Sequence, residues 1–430
     1  METMEFTQLQ ETVFKEVLPN GLTVYVIPKK DFHKTFATFT TNYGSIDNRF
    51  IPLGKDKPVL VPDGIAHFLE HKMFEDEKGD VFHTFGEQGA SANAFTSFTR
   101  TAYLFSSTQY VDENLKTLLD FVQHPYFTEE SVEKEKGIIE QEIRMYEDNA
   151  DWQLFFNLLG NLYHHHPAKI DIAGTAESIQ KITKDDLYEC YETFYHPSNM
   201  MLFVVGDADP DHIIDLVKQN QEAKTFSQPE PIERFFEEEP PEVVRARTVQ
   251  SMSVNTPKCM VGYKVTPPEK TGRDLLRYEL AMELLLEMMF GASSDAYESM
   301  YEDGLIDASF SSELSVERSF SFMAVGGDSP DPEELEKRII DTITEVKQKG
   351  FAEGELERVR KKKIGSFLKQ LNSPEFIANS YTHYAFYDMH LFEASTILEE
   401  ISEAEIKDLL LTHFEEEKRT VSLIEKKRAE

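Results

Sequence analysis

His67, Glu70 and His71 hold the most legible chemistry of this 430-residue chain, within the run His67-Phe68-Leu69-Glu70-His71. Two histidines four apart on a helix project from one face, about one turn apart, so both imidazoles can reach the same metal ion. Glu70 follows the first histidine by three positions and adjoins the second, close enough to hold a water at that metal without ligating it. This is the inverted zincin order H-x-x-E-H. Its chemistry requires neutral imidazoles to bind Zn²⁺, a third, anionic ligand, and a carboxylate base for the water. The plainer alternative is a helix with two solvated or core-satisfied histidines.

The elements that must position these residues can be read around them. Val61-Pro62-Asp63-Gly64 precedes the helix, with Asp63 as its expected N-cap, and Phe68, Leu69 and Phe74 supply a buried face. A third ligand is available from residues 128–147, which read as a helix opening with acids. Glu135 and Glu142 lie seven apart, two turns along one face and about 10.5 Å along the axis. One can ligate while the other supports it from behind. Glu133 and Glu140 form a second pair with the same spacing, so spacing alone leaves both pairs open. The remaining glutamates read as a solvated face.

Three motifs carry a family resemblance. The run from Gly64 to Phe74 resembles the pitrilysin/insulinase family of zinc peptidases. Gly89-Ala90-Ser91-Ala92-Asn93-Ala94-Phe95-Thr96 is similar to that family's G-G-x-x-N-A-x-T strand, and the run from Glu135 to Glu142 to its E-R-x-V-I-x-x-E helix. The order and spacing of the three extend the likeness over nearly the whole chain. It is strongest toward bacterial members of the branch that includes the mitochondrial processing peptidase. The resemblance implies that Glu142 is the third zinc ligand, that Glu135 stands behind the ligands, and that the edge strand with Ser91, Asn93 and Ala94 binds the peptide by strand addition.

At 49.6 kDa the chain has room for two or more domains with substantial cores. Its 40% hydrophobic content, with 32 Phe and 17 Tyr, excludes a disordered chain. A net charge of −34, from 78 acids against 44 bases, disfavours nucleic acid and anionic membranes as partners. It suits a positively charged peptide, although an acidic soluble surface explains most of it. Two cysteines, Cys190 and Cys259, argue against a disulfide framework and fit a reducing compartment. With neither a signal-peptide pattern nor an apolar run of spanning length, a cytoplasmic setting is expected.

The chain also reads as two tandem copies of one fold. A hairpin around Asn20-Gly21, a strand from Thr35 to Tyr43, the motif helix, a short helix near 80–88 and strands at 90–98 and 101–108 lead into helical patterns over 112–195. A strand at 199–205 closes the unit. At an offset of 217, Leu284-Leu285-Leu286-Glu287-Met288 aligns with the histidine motif, and at an offset of about 220 Thr412-His413-Phe414 echoes Thr193-Phe194-Tyr195. The expected class is α+β: two homologous domains, each a mostly antiparallel sheet with helices on one face, in the fold that the resemblance shares with the processing peptidase and the autoinducer-2-forming lyases. The expected division is a zinc domain at 1–220, an acidic proline-rich linker at 221–242 and a non-zinc domain at 243–430.

In the second copy Leu284 and Met288 stand where the histidines should be, and Ile364 falls near the place of Glu142, so it cannot bind zinc there. Active single-chain relatives carry an Arg and a Tyr in a stretch that here reads Met300 to Ala308, with Tyr301 and Asp307 near those positions. By resemblance this chain has the zinc half-site without the substrate clamp. The expected partner is a homologous subunit that lacks H-x-x-E-H and keeps the clamp. The overall reading is a zinc endopeptidase, or the catalytic subunit of one, acting on peptides; the alternative is a non-catalytic scaffold or regulatory subunit. A lyase of the autoinducer-2 type would need a cysteine ligand and a far shorter chain. His164-His165-His166 reads as a solvated helix end, Cys190 as core, Arg360-Lys361-Lys362-Lys363 as a solvated helix face, and Gly326-Gly327 as a turn.

Overall fold

Thr35–Thr41 and Met200–Gly206 are buried along almost their whole lengths, and they form the middle of a seven-stranded sheet. In the computed structural model, which describes residues 1–77 and 79–427, that sheet runs in the order Glu2–Phe6, Glu11–Val17, Thr23–Pro28, Met200–Gly206, Thr35–Thr41, Thr101–Ser107, Ala90–Thr96. Only Thr23–Pro28 and Met200–Gly206 pair in parallel; every other neighbour is antiparallel. The first strand, Glu2–Phe6, pairs with Glu11–Val17 and was not legible in the acidic, polar N-terminus.

A second sheet has five strands, in the order Arg247–Met252, Arg419–Lys426, Lys258–Val265, Ser321–Asp328, Ser311–Val316. Its single parallel pair joins Arg247–Met252, here an outermost strand, to Arg419–Lys426, the last strand in sequence. Counting from Thr23–Pro28, the first sheet has the same winding: first strand beside last, last beside second, second beside fourth, fourth beside third. Two copies of one winding in tandem give the α+β class. Among the described residues no helix is long and apolar enough to cross a membrane.

The compact units and the sequence halves are different partitions. One unit comprises Met1–Ile143, Asp171–Phe235 and Gln370–Phe392; the other comprises Arg144–Ile170, Phe236–Lys369 and Glu393–Glu430. The helix Ala150–Leu162, from the first half of the chain, packs on Lys258–Val265 and Arg419–Lys426 of the second sheet. The helix Pro374–Ala385, from the second half, packs on Thr35–Thr41 and Met200–Gly206 of the first. At Gly262 a Cβ would come within 2.9 Å of the Leu158 side chain, so the glycine makes room for the incoming helix. An amphipathic pattern specifies an apolar stripe but not the sheet that will cover it, which is why the exchange is invisible in the sequence.

Two sequence expectations need correction, and the expected linker is fastened along its length. Residues 221–242 contain four prolines and seven acids. In the first unit Ile51 N–H donates to the Glu233 carbonyl, Phe235 N–H donates to the Arg49 carbonyl, and Arg234 pairs with Asp47. In the second unit the carboxylate of Glu239 accepts from the backbone N–H groups of His164, His165 and His166 and from Lys264. The histidine triplet is accordingly a backbone cradle for an anion; His166 is buried and stacks on Phe236, and only His165 is exposed. Gly326 and Gly327 lie inside the strand Ser321–Asp328, not in a turn. A Cβ on Gly326 would lie 2.0 Å from the Cys259 carbonyl oxygen, and one on Gly327 2.8 Å from the Phe310 backbone, so close backbone approach explains both.

Candidate metal centre

The motif helix, Ile65–Met73, starts differently from the sequence reading. Its N-cap is Gly64, at φ 88°, with no side-chain cap; Asp63 instead accepts from the Asn48 amide. Gly64 faces Gly174, itself at φ 77°. A Cβ on Gly64 would stand 2.3 Å from the Ala173 carbonyl oxygen, and one on Gly174 2.5 Å from that of Asp63. The Ser178 hydroxyl donates to the Asp63 carbonyl at 2.8 Å, fastening the helix entry to this loop. Tight docking and a left-handed backbone together select glycine over a capping side chain. Gly64→Ala is expected to lower stability by about 3 kcal/mol, read as a lowered thermal or denaturant midpoint.

Burial of eight of the nine residues of this helix, His67 and Glu70 among them, sets the electrostatics of the site. Opposite stands the acidic helix, Glu129–Glu147, held by buried Val132, Ile139 and Ile143. Every site residue expected from the sequence lies in the first compact unit. His67 Nε2 is 3.6 Å from Glu142 Oε1, and His71 Nε2 is 3.5 Å from Glu142 Oε2. The three donor atoms all lie within 4.8 Å of one another. Four-coordinate zinc with bonds of about 2.0–2.2 Å places its ligand atoms roughly 3.3–3.5 Å apart, so this two-nitrogen, one-oxygen set fits the ion. His71 Nδ1 meets Glu135 Oε1 at 3.0 Å, which turns Nε2 toward Glu142. The rival pair points elsewhere: Glu133 is exposed and pairs with Lys136, and Glu140 reaches the Gln180 amide.

Burial, aided by the nearby His71, pushes His67 down to about 4, which keeps it neutral at pH 7. For His71 burial acts in the same direction, but the Glu135 hydrogen bond and the charges of Glu70 and Glu142 outweigh it and hold the ring above its ordinary value. Glu70 is raised by burial, with the Thr96 hydroxyl working against that shift. Thr96 donates to Glu70 Oε2 at 2.6 Å. Thr96 belongs to the strand motif without a role being legible there; its one signal is a hydroxyl residue at the end of the strand that follows the motif helix.

Ala90–Thr96 is the outermost strand of the seven-stranded sheet, paired on one side with Thr101–Ser107. Ser91 and Asn93 are exposed along it, and the Asn93 carboxamide oxygen accepts from the Ala94 N–H. A cavity of about 720 Å³ opens beside Glu70, His71 and Glu135, lined also by Asn93, Ala94 and the stacked pair Phe74 and Phe82. His71 and Glu135, the Glu70 carboxylate and the outermost strand therefore border one space.

Two like-wound sheets in tandem, with an H-x-x-E-H helix and a candidate metal-binding cluster in the first copy, define a class of zinc-peptidase architecture, and comparison with known proteins places the chain within it. Residues 62–176 match the family model of the insulinases, peptidase family M16, and residues 181–363 match that of the M16 inactive domain. The chain belongs to the insulinase family. It is 56% identical over 421 residues to an uncharacterized zinc protease, YmfH, of Bacillus subtilis, covering 98% of both chains. It is 25% identical to the zinc protease PqqE of Helicobacter pylori, over 85% of this chain and 82% of that one. A protein from Alicyclobacillus acidocaldarius, described from its crystal structure as M16-like, superposes with a TM-score of 0.94 at 40% identity, covering 97% of this chain and 99% of the other.

Proposed function

We propose that the chain is the catalytic subunit of a zinc-dependent endopeptidase, with His67, His71 and Glu142 holding Zn²⁺ and Glu70 acting as the base. The observation that carries this reading is the convergence of the two imidazoles and Glu142 on one point, with a buried carboxylate beside them that is not part of the cluster. Zinc, when bound, supplies a Lewis acid that acidifies a water and polarises a peptide carbonyl. Glu70 accepts a proton at its carboxylate and returns it to the leaving amine. Glu135 holds His71 in the tautomer that presents Nε2, and supports the site electrostatically. The strand with Ser91, Asn93 and Ala94 takes an extended peptide onto its free edge, backbone to backbone. Zinc content measured together with turnover of a quenched peptide tests the reading: metal without turnover under all assembly states would favour the scaffold alternative.

The first half, residues 1–220, is the zinc domain in this reading, and residues 243–430 are its copy without zinc. Leu284 and Met288, at the histidine positions, are buried core residues of the helix Gly272–Phe290, which supports a purely architectural second copy. Cys190 and Cys259 are free and buried, as suits a reducing, cytoplasmic setting. Tyr301 is exposed, and Asp307 accepts from Ser309; neither supplies a guanidinium. The clamp is then the contribution of a homologous subunit. The isolated chain is expected to cleave a quenched peptide only weakly, with activity restored on adding the homologue that co-purifies with it. Full activity from the isolated monomer would exclude the two-subunit assembly.

A further inference from the structure

We infer that Thr96 is a positioning residue for the general base, so that the strand that receives the peptide also orients Glu70. This rests on the reading of Glu70 as base. The hydroxyl inventory supports the assignment. Thr101 Oγ1 spends its single proton on the Tyr43 carbonyl at 2.9 Å, and lies 3.4 Å from Thr96 Oγ1. The Thr96 proton goes to Glu70 Oε2 at 2.6 Å, a charge-assisted bond to a carboxylate that is almost fully buried. One carboxylate oxygen is thereby fixed, and Oε1 is left to exchange the proton.

Thr96 can hold a buried carboxylate because its own backbone is held. It is the last residue of the edge strand and faces Thr101 across the hairpin. The turn that follows is closed by Ser97 N–H donating to the Arg100 carbonyl at 2.8 Å. Ser45 and Ile46 donate their N–H groups to the Ser97 and Phe98 carbonyls at 3.0 and 3.1 Å. Gly44 lets this turn approach so closely that a Cβ there would lie 2.4 Å from the Phe98 carbonyl. Arg100 lies over the Phe95 ring and donates to Nδ1 of His383, tying the same turn to the helix Pro374–Ala385. The hydroxyl at position 96 thus sits on a frame fastened at several points, which is what a residue needs in order to orient another.

The test compares the wild type with Thr96→Val, Thr96→Ser and Glu70→Gln in the full chain, purified with any subunit that accompanies it. Thr96→Val, which removes only the hydroxyl, is expected to lower kcat roughly 10–100-fold with KM and zinc stoichiometry little changed. Thr96→Ser should recover most of the loss, an outcome that mere packing at position 96 would not give. Crystal structures provide a readout independent of turnover: Glu70 should keep its carboxylate position in Thr96→Ser and turn away in Thr96→Val. An unmoved Glu70, or a wild-type kcat, in Thr96→Val overturns the inference. Wild-type cleavage by Glu70→Gln would instead overturn the assignment of the base, so the two failures are distinguishable.

Discussion

Glu70→Gln is expected to keep about one zinc per chain while losing on the order of 10²–10⁴-fold in peptide cleavage. The substitution preserves shape and leaves a carbonyl oxygen to accept from Thr96, so the buried hydrogen bond survives. It removes the capacity to take a proton. The candidate cluster of His67, His71 and Glu142 does not include Glu70, so metal content should not follow activity. Metal analysis and quenched-peptide turnover on the same preparation decide it. Cleavage at the wild-type rate, or zinc lost in proportion to activity, would show that Glu70 is either not the base or is itself a ligand.

The grouping of the candidate site residues is more legible in the sequence than the packing of the helices, for physical reasons that differ by residue. His67, Glu70 and His71 belong to one helical turn, so their mutual placement follows from helix geometry alone. Glu142 is remote in sequence, and the periodicity that offers it offers Glu140 equally; only the family resemblance separates them, and in the structure it is Glu142 that lies beside the two histidines. Asp63 and not Gly64 is the expected cap because a capping preference is local, whereas the contact that demands glycine comes from Ala173, more than a hundred residues away. Gly326 and Gly327 read as a turn for the same reason, since their role is set by Cys259 and Phe310. The histidine triplet reads as solvated because its partner is an acid in a segment that composition marks as a linker. The exchange of the helices Ala150–Leu162 and Pro374–Ala385 between the sheets leaves no trace in either helix's own pattern.

Glu142→Gln is expected to strip most of the zinc, as is His71→Ala, while Glu140→Gln leaves zinc content near wild type. Positions 140 and 142 are about 200° apart around a helix of 3.6 residues per turn. The helix is fixed in rotation by Val132, Ile139 and Ile143, all buried, and by Lys136, which donates to the Gln180 carbonyl. That anchoring leaves Glu142 facing both histidine Nε2 atoms and Glu140 at the exposed amide of Gln180. Neutralising Glu142 removes the anionic member of the donor set, and a neutral amide is a poor substitute in a site that favours zinc through two imidazoles and a carboxylate. Glu135→Gln should fall between, with metal affinity lowered roughly 10–100-fold, because it acts on the ion only through His71. Competition titrations with a chromogenic chelator give the order directly. Equal losses at 140 and 142, or a larger loss at 140, would mean that the helix meets the histidines with a different face, and the ligand set would have to be reassigned.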